Sequence, residues 1–128
     1  MPENKLIQIQ HETETWKRML GFMVDENIHF KNSLSQILKD KFDKTLLEEV
    51  EIFHSNFIKE DVRIGLLRHD VAELDKLLQR EVFEDGKIEK KVDSALNKLR
   101  NNIKNAAMQF TKLKADFNVY LSQNIYSR

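Results

Sequence analysis

The sequence predicts an all-α fold, an elongated antiparallel bundle of three long helices. Composition is the first reason, because the 128 residues include one proline and three glycines and 33% are charged, which favours helices over sheets. Spacing is the second reason, since apolar residues recur every three or four positions along most of the chain, as one side of a helix requires. The third reason is that the breaks in this apolar spacing are short, and short connections make neighbouring helices antiparallel.

The first helix is predicted to run to about Leu38. Its inward positions, called its inner seam, are Leu6, Ile9, Thr13, Trp16, Leu20, Met23, Asn27, Phe30, Leu34 and Ile37. Where it begins stays open, because Leu6 to Gln10 alternates apolar and polar residues and residues 1–10 would also suit an extended arm. Asn27 is an amide on this seam, where it either sets the register of the helices, bonds a side chain of the second helix, or lies where the seam is partly wet.

A polar connection separates the first two helices. Lys39 to Lys44 contains a single weak apolar position, Phe42. Thr45 and Glu48 then have the spacing of a capping box, in which each side chain bonds a free backbone N–H at a helix start. The connection is therefore predicted to be a short turn, after which a new helix begins with Thr45 as its cap.

The second helix carries the same pattern for more than thirty residues. Its inner seam is Leu46, Val50, Phe53, Phe57, Glu60, Ile64, Leu67, Val71, Leu74 and Leu78. The weak point lies between Lys59 and Gly65, because Glu60 is charged at an inward position and glycine costs about 1 kcal/mol relative to alanine inside a helix. A four-helix bundle, with this helix broken near Gly65, is the alternative fold.

A turn from Phe83 to Gly86 precedes the third helix. Gly86 can adopt positive φ, and Asp85 is placed to cap the third helix. From Ile88 onwards the third inner seam is Val92, Leu96, Leu99, Ile103, Ala106, Phe110, Leu113, Phe117, Tyr120 and Asn124. Helices of about 36 residues would each be on the order of 55 Å long, so the predicted molecule is a rod.

Length and composition limit the classes of function. We expect residues 1–128 to form one helical domain, since domains commonly contain about 100 to 150 residues. The chain has no cysteine, which excludes disulfides, thiolate metal sites and thiol nucleophiles and favours a reducing, cytoplasmic location. No signal peptide and no membrane-spanning stretch are expected.

The charges are distributed unevenly although the net charge is zero. Counts of basic against acidic residues are 6 and 6 in residues 1–42, 6 and 12 in residues 43–85, and 9 and 3 in residues 86–128. Opposite net charges favour neighbouring positions for the last two segments. The acidic segment is therefore the expected partner of the basic one.

Two Glu-x-x-His sequences have the spacing found in di-iron carboxylate bundles. They are Glu26 to His29 and Glu51 to His54. Such a site needs further inward glutamates, and the third helix offers only Glu89 near its beginning. His29 and Glu51 also lie beside the inner seams, so we interpret these residues, with His11 and His69, as solvated surface. A carboxylate and histidine metal bundle is kept as a second alternative function.

The third helix has a lysine-rich side opposite its inner seam. A line of lysines could follow a phosphate backbone, because each neutralised phosphate releases a counterion. The line lacks exposed aromatic residues and arginines suited to stacking on bases or reading them. We therefore interpret it as a solvated face and keep nucleic-acid binding as an alternative; it comprises Lys90, Lys91, Asn97, Lys98, Lys104, Asn105 and Lys112.

Several apolar residues lie off the inner seams and exceed the number that a narrow seam needs. A wide apolar side is normal inside a bundle, but it is also typical of a self-association surface, so a homodimer is expected. The residues are Phe22, Ile28, Ile52, Ile58, Val62 and Leu66.

No phosphate loop, zinc signature, calcium loop or catalytic triad is found in the sequence, and no catalytic, cofactor-binding or metal-binding residue is assigned. The predicted function is non-enzymatic: a protein-interaction or structural module that binds a second copy or another helical protein, with no cofactor and no small-molecule substrate.

Overall fold

The described part of the chain forms three long helices, as predicted. The computed structural model describes residues 1–40, 43–84 and 86–126. Helix α1 is Glu3–Asp40, α2 is Lys44–Phe83 and α3 is Glu89–Asn124. At 1.5 Å per residue these helices are between about 54 and 60 Å long. Helix α2 packs against both α1 and α3. Because both connections are short, α2 runs antiparallel to each of them, and α1 and α3 therefore run in the same direction.

Helix α1 includes the segment whose structure the sequence left open. The N–H of Leu6 donates to the Pro2 carbonyl (3.1 Å), and the helix is regular from Glu3 onwards. Ile9 is buried in the core and Leu6 packs against it. The alternative of an extended arm is therefore wrong, because a helical start brings both apolar side chains to the same side of α1.

Asp43 caps the second helix, and the prediction of a cap at Thr45 is wrong. One carboxylate oxygen of Asp43 accepts from the backbone N–H groups of Thr45 (2.9 Å) and Leu46 (3.3 Å). An Asp just before the first turn reaches these N–H groups as well as Thr does. The predicted capping box begins at Thr45, two residues after the residue that caps the helix. The weak apolar position Phe42 lies outside the described residues.

Helix α2 is continuous, so the four-helix alternative is wrong. Gly65 lies within the helix, between the buried Ile64 and the exposed Leu66. Burial of Ile64 and Leu67 on the inner side stabilises the helix and outweighs the glycine penalty of about 1 kcal/mol. Apart from the adjacent residues and the backbone of the same helix, no atom lies within 4 Å of the position that a Cβ of residue 65 would occupy.

The turn between α2 and α3 forms where it was predicted. Gly86 has φ of +87°, the left-handed conformation that glycine adopts at little cost. The predicted capping residue Asp85 lies outside the described residues. Ile88 is the residue before α3, and its side chain makes no capping hydrogen bond.

The inner seams form the core with few departures. Along α1, α2 and α3 most predicted inward residues are buried. The half-buried members are Leu6, Phe30, Phe53, Leu113 and Asn124. Sequence reasoning missed Leu121 and Glu81. Glu81 is 1% exposed, and its carboxylate pairs with the amino group of Met1 at 3.2 Å.

The core has two parts. The larger cluster consists of the buried residues between Ile9 and Met23 of α1, between Ile64 and Leu78 of α2, and between Val92 and Phe110 of α3. The smaller cluster lies at the other end and includes the stacked or tilted rings Phe30, Phe53, Phe57, Phe117 and Tyr120. Between the two clusters lie the buried polar side chains of Asn27 on α1 and Glu60 on α2, which we call the polar layer.

The polar layer contains Asn27 and Glu60. The Asn27 amide donates to the Phe57 carbonyl (2.9 Å) and to Asp61, which also pairs with Lys31 at 2.6 Å. The amide nitrogen of Asn27 therefore has a buried backbone partner and a half-exposed carboxylate partner, as an amide on an inner seam requires. Glu60, 6% exposed, pairs with Arg63 at 3.3 Å.

The ion pairs between helices differ from the predicted pattern. Acidic α2 and basic α3 lie side by side, but no ion pair joins them among the described residues. Both helices pair with α1 instead. Lys17 and Lys31 of α1 bind Asp75 and Asp61 of α2, while Arg100 and Lys114 of α3 bind Glu12 and Glu26 of α1. Net charge indicated which helices are neighbours, but it did not predict which side chains meet.

Candidate interaction surface

All six apolar residues predicted to lie off the inner seams are exposed. Their exposed fractions run from 44% for Ile58 to 68% for Phe22. The core is closed without them, since both clusters are assembled from inner-seam residues and their immediate neighbours. Folding of the monomer therefore leaves these side chains in water.

Three of the six lie in line along α2. Ile58, Val62 and Leu66 are spaced at intervals of four, which places them on successive turns of one side. Ile28 of α1 lies at the same level as Ile58, because the amide of the preceding Asn27 bonds Phe57 and Asp61. The middle of the rod therefore has an exposed apolar area centred on α2.

Phe22 belongs to a different surface. It lines a groove between α1 and α3 with Met19 and Phe110. The ion pair between Glu26 and Lys114, at 2.8 Å, joins the two helices beside this groove. Phe22 therefore faces away from the exposed residues of α2.

Among the described residues, the most exposed large apolar side chain lies at the end of α2 and was not predicted to be exposed. Phe83 is 95% exposed, and the adjacent Val82 is 58% exposed. From the sequence, Phe83 was assigned only to the start of a turn. A signal was present in the spacing, because the inner seam continued three residues beyond Leu78 reaches position 81, and Phe83, two residues farther, then points to the opposite side of the helix.

The Glu-x-x-His residues do not come together as a metal site. Glu26 is engaged by Lys114, and His29 is exposed with its ring beside Phe30. Glu51 is exposed and His54 is half-buried on α2. Across residues 1–40, 43–84 and 86–126, no three His, Asp or Glu side chains are grouped so that they could hold a metal ion.

The lysine-rich side of α3 is exposed along its length. All seven residues predicted to form it are accessible to solvent. Its five lysines make no ion pair with another described residue, whereas Lys114 on the α1 side of the same helix does. Positive charge on this side is therefore not neutralised within the described part of the monomer.

The pKa of the buried Glu60 carboxyl group lies above its ordinary value. Burial raises the pKa of Glu60, and the nearby Arg63 guanidinium lowers it in part. The side chain lies in the polar layer of the core and not in a cleft. Its altered pKa therefore has a structural cause and bears on stability rather than on contact with a substrate.

None of the three helices, over the described residues, has an apolar stretch of the length needed to cross a membrane. Comparison with known proteins gives no relative: no family model, no curated protein and no solved structure matches the chain.

Proposed function

We propose that this protein is a non-enzymatic helical module that acts by self-association. The observation that supports this proposal is the exposed apolar area on the outer side of α2, centred on Val62, in a molecule whose core is closed without it. Contiguous exposed apolar surface of this kind is typical of sites where another protein binds.

Burial of that surface by a second chain would be favourable. Removing apolar area from water contributes roughly 25 cal/mol per Å². The residues sit on a rigid helix held by buried neighbours on its inner side, so little ordering is needed on binding. An intracellular location fits the proposal, because a chain without cysteine needs no oxidising compartment.

Solution mass tests the proposal directly. Size-exclusion chromatography with light scattering would be run over a hundredfold range of protein concentration. A species of twice the 15.2 kDa chain mass, growing with concentration, is expected. A mass of one chain throughout that range would contradict self-association.

Nucleic-acid binding is the second candidate, supported by the five unpaired lysines of α3. It would be tested by fluorescence anisotropy with labelled duplex and single-stranded DNA at several salt concentrations. Binding through this side would weaken steeply as salt increases, because lysine contacts to phosphate release counterions. Replacing Lys98, Lys104 and Lys112 with Gln would then abolish it, while replacing Lys5, Lys17 and Lys31 of α1 would not.

A further inference from the structure

Helix α2 has a second regular seam on its outer side. If residues are taken from Lys44 to Phe83 at intervals of four and three in turn, every residue reached is exposed. This alternation is the heptad spacing that lets one helix pack along another. The outer seam consists of Lys44, Glu48, Glu51, Ser55, Ile58, Val62, Gly65, His69, Ala72, Lys76, Gln79 and Phe83.

The composition of the outer seam changes along its length. The central part, from Ser55 to Ala72, is apolar or small except for His69 and carries no residue with a fixed charge. Glu51 lies before this part and Lys76 lies after it. An apolar centre with charged ends is the usual arrangement of a specific protein interface.

We propose that α2 of a second copy packs antiparallel along this outer seam, with the two-fold axis passing between Arg63 and Ile64. The inference rests on the proposed self-association and names its surface and partner. About this axis the seam maps onto itself. Glu51 then faces Lys76 of the second copy, and Val62 faces Gly65 of the second copy.

Charge complementarity supports a second copy as the occupant. Beside the seam, the same alignment brings Lys59 near Asp70, and Asp61 near Arg68, of the second copy. Among these residues, Lys59, Arg68 and Asp70 have no ion-pair partner within the described part of the monomer. The two-fold axis repeats each contact, so opposite charges flank the apolar centre on both sides.

Other alignments bring like charges together. A shift of one heptad in either direction would place Asp61 opposite Asp61, or Arg68 opposite Arg68, of the second copy. A parallel pair in register would place Glu51 opposite Glu51 and Lys76 opposite Lys76. Like charges in contact disfavour these arrangements, so the charges of α2 select one orientation and one register.

Shape also suits close approach of the two helices. Val62 would lie over Gly65 of the second copy, where the space that a Cβ would occupy is open. Ser55 would face Ala72, another pair of small side chains. The distance between packed helices depends on the side chains at the contact, and small residues allow it to be short. Glu51 to Lys76 covers about 38 Å, so the contact would extend over most of α2.

Two matched substitutions locate the interface in the full chain. Val62→Glu places a charge at the centre of the outer seam, and Val119→Glu makes the same change at an exposed valine of α3. By sedimentation equilibrium we expect Val62→Glu to raise the dimer dissociation constant at least tenfold and Val119→Glu to change it less than twofold. Circular dichroism would show that both variants keep their helices.

A charge exchange tests the orientation. Glu51→Lys alone should raise the dissociation constant at least threefold, because it faces Lys76 of the second copy. Combining it with Lys76→Glu should return the constant to within twofold of the starting value. Failure of the combined change to restore dimerisation would contradict the antiparallel pairing.

Disulfide trapping tests the register, since the chain has no cysteine of its own. Ile58→Cys combined with His69→Cys should give a covalent dimer under mild oxidation, because these positions face each other across the axis. Ile58→Cys combined with Lys76→Cys is displaced by seven residues and should not. A dimer that is unaffected by Val62→Glu, or that is trapped only by the displaced pair, would overturn the proposed surface and leave self-association intact. A parent protein that is monomeric would overturn both proposals.

Discussion

Asn27 of α1 and Phe57 of α2 are joined by a buried hydrogen bond: the Asn27 amide donates to the Phe57 backbone carbonyl at 2.9 Å. The same amide donates to Asp61. The bond lies where the larger and smaller core clusters meet, so it fixes the level of α1 against α2 at the middle of the rod. Polar contacts at inward positions of helix pairs are the best established means of setting register.

Truncation of Asn27 should destabilise the fold. We expect Asn27→Ala to lower the free energy of unfolding by about 1 to 3 kcal/mol, the usual cost of losing a buried hydrogen-bonded group. Asn27→Asp should cost more, because a second carboxylate would lie against Asp61 in a buried site. Urea denaturation monitored by circular dichroism measures both. Equal stability of Asn27→Ala and the parent protein would show that the bond is dispensable.

The inner seams explain how much of this fold could be predicted. Leu20, Val71 and Ile103 were recognised as core from spacing alone, because a helix buries residues three and four apart whatever its neighbours are. Continuity of α2 through Gly65 could not be decided from propensity. The penalty of one glycine is small beside the burial of Ile64 and Leu67, and burial depends on the whole bundle.

The contacts of charged residues were less predictable. Net charge placed α2 beside α3, yet Arg100 of α3 pairs with Glu12 of α1. Ion pairing depends on where each long side chain leaves its helix, and net charge over a segment contains no such information. Exposure of Val62 and Leu66 was predictable from the spacing, but the outer seam became visible only once α2 was known to be unbroken.

Glu60 should make stability depend on pH. Burial raises its folded-state pKa above the ordinary 4.5, so the folded protein binds this proton more tightly than the unfolded chain does. Its contribution is therefore complete below about pH 4.5 and is lost as pH rises through the folded-state pKa. Glu60→Gln should match the parent protein in stability near pH 4 and exceed it at pH 7.

Urea denaturation of both proteins from pH 4 to pH 7 would measure this difference. Asp61→Asn is a useful control, because Asp61 is on the same turn but is paired with Lys31. A parent protein that gains stability relative to Glu60→Gln as pH rises would contradict the expected sign.

Gly65 lowers the stability of helix α2 and also lies at the centre of the proposed dimer interface. Gly65→Ala should raise the free energy of unfolding of the monomer by about 0.5 to 1 kcal/mol, because alanine is the better helix former and its Cβ meets no atom within 4 Å beyond the adjacent residues and the backbone of the same helix. The same methyl group should weaken the dimer, since Val62 of the second copy would face it.

Gly21→Ala is the matched control for this substitution. Gly21 is also within a helix, and its Cβ position is equally open apart from the adjacent residues and the backbone of its own helix. We expect it to stabilise the monomer similarly and to leave the dissociation constant of the dimer unchanged. Stability would be measured by urea denaturation at low protein concentration and association by sedimentation. Equal effects of both substitutions on the dimer would argue against close packing at Gly65.

Phe117 should be among the most sensitive core positions. Its fully buried ring contacts the rings of Phe30, Phe53 and Phe57 from three directions. Phe117→Ala should lower the free energy of unfolding by about 3 to 5 kcal/mol, through lost burial and the cavity left behind. Phe83→Ala, at a residue 95% exposed, should change monomer stability by less than about 0.5 kcal/mol. Similar losses in both variants, measured by urea denaturation, would contradict the described packing.

The pair of Arg100 and Glu12 should contribute little despite its geometry. Two guanidinium nitrogens of Arg100 lie 2.7 and 2.6 Å from the Glu12 carboxylate oxygens, but both side chains are partly exposed. Solvent screening limits exposed pairs to about 0.2 to 1 kcal/mol. A double-mutant cycle with Arg100→Ala and Glu12→Ala should therefore give a coupling energy in that range, decreasing as salt is raised. A coupling above about 2 kcal/mol that does not respond to salt would mean that this pair holds α1 against α3 as strongly as a buried contact does.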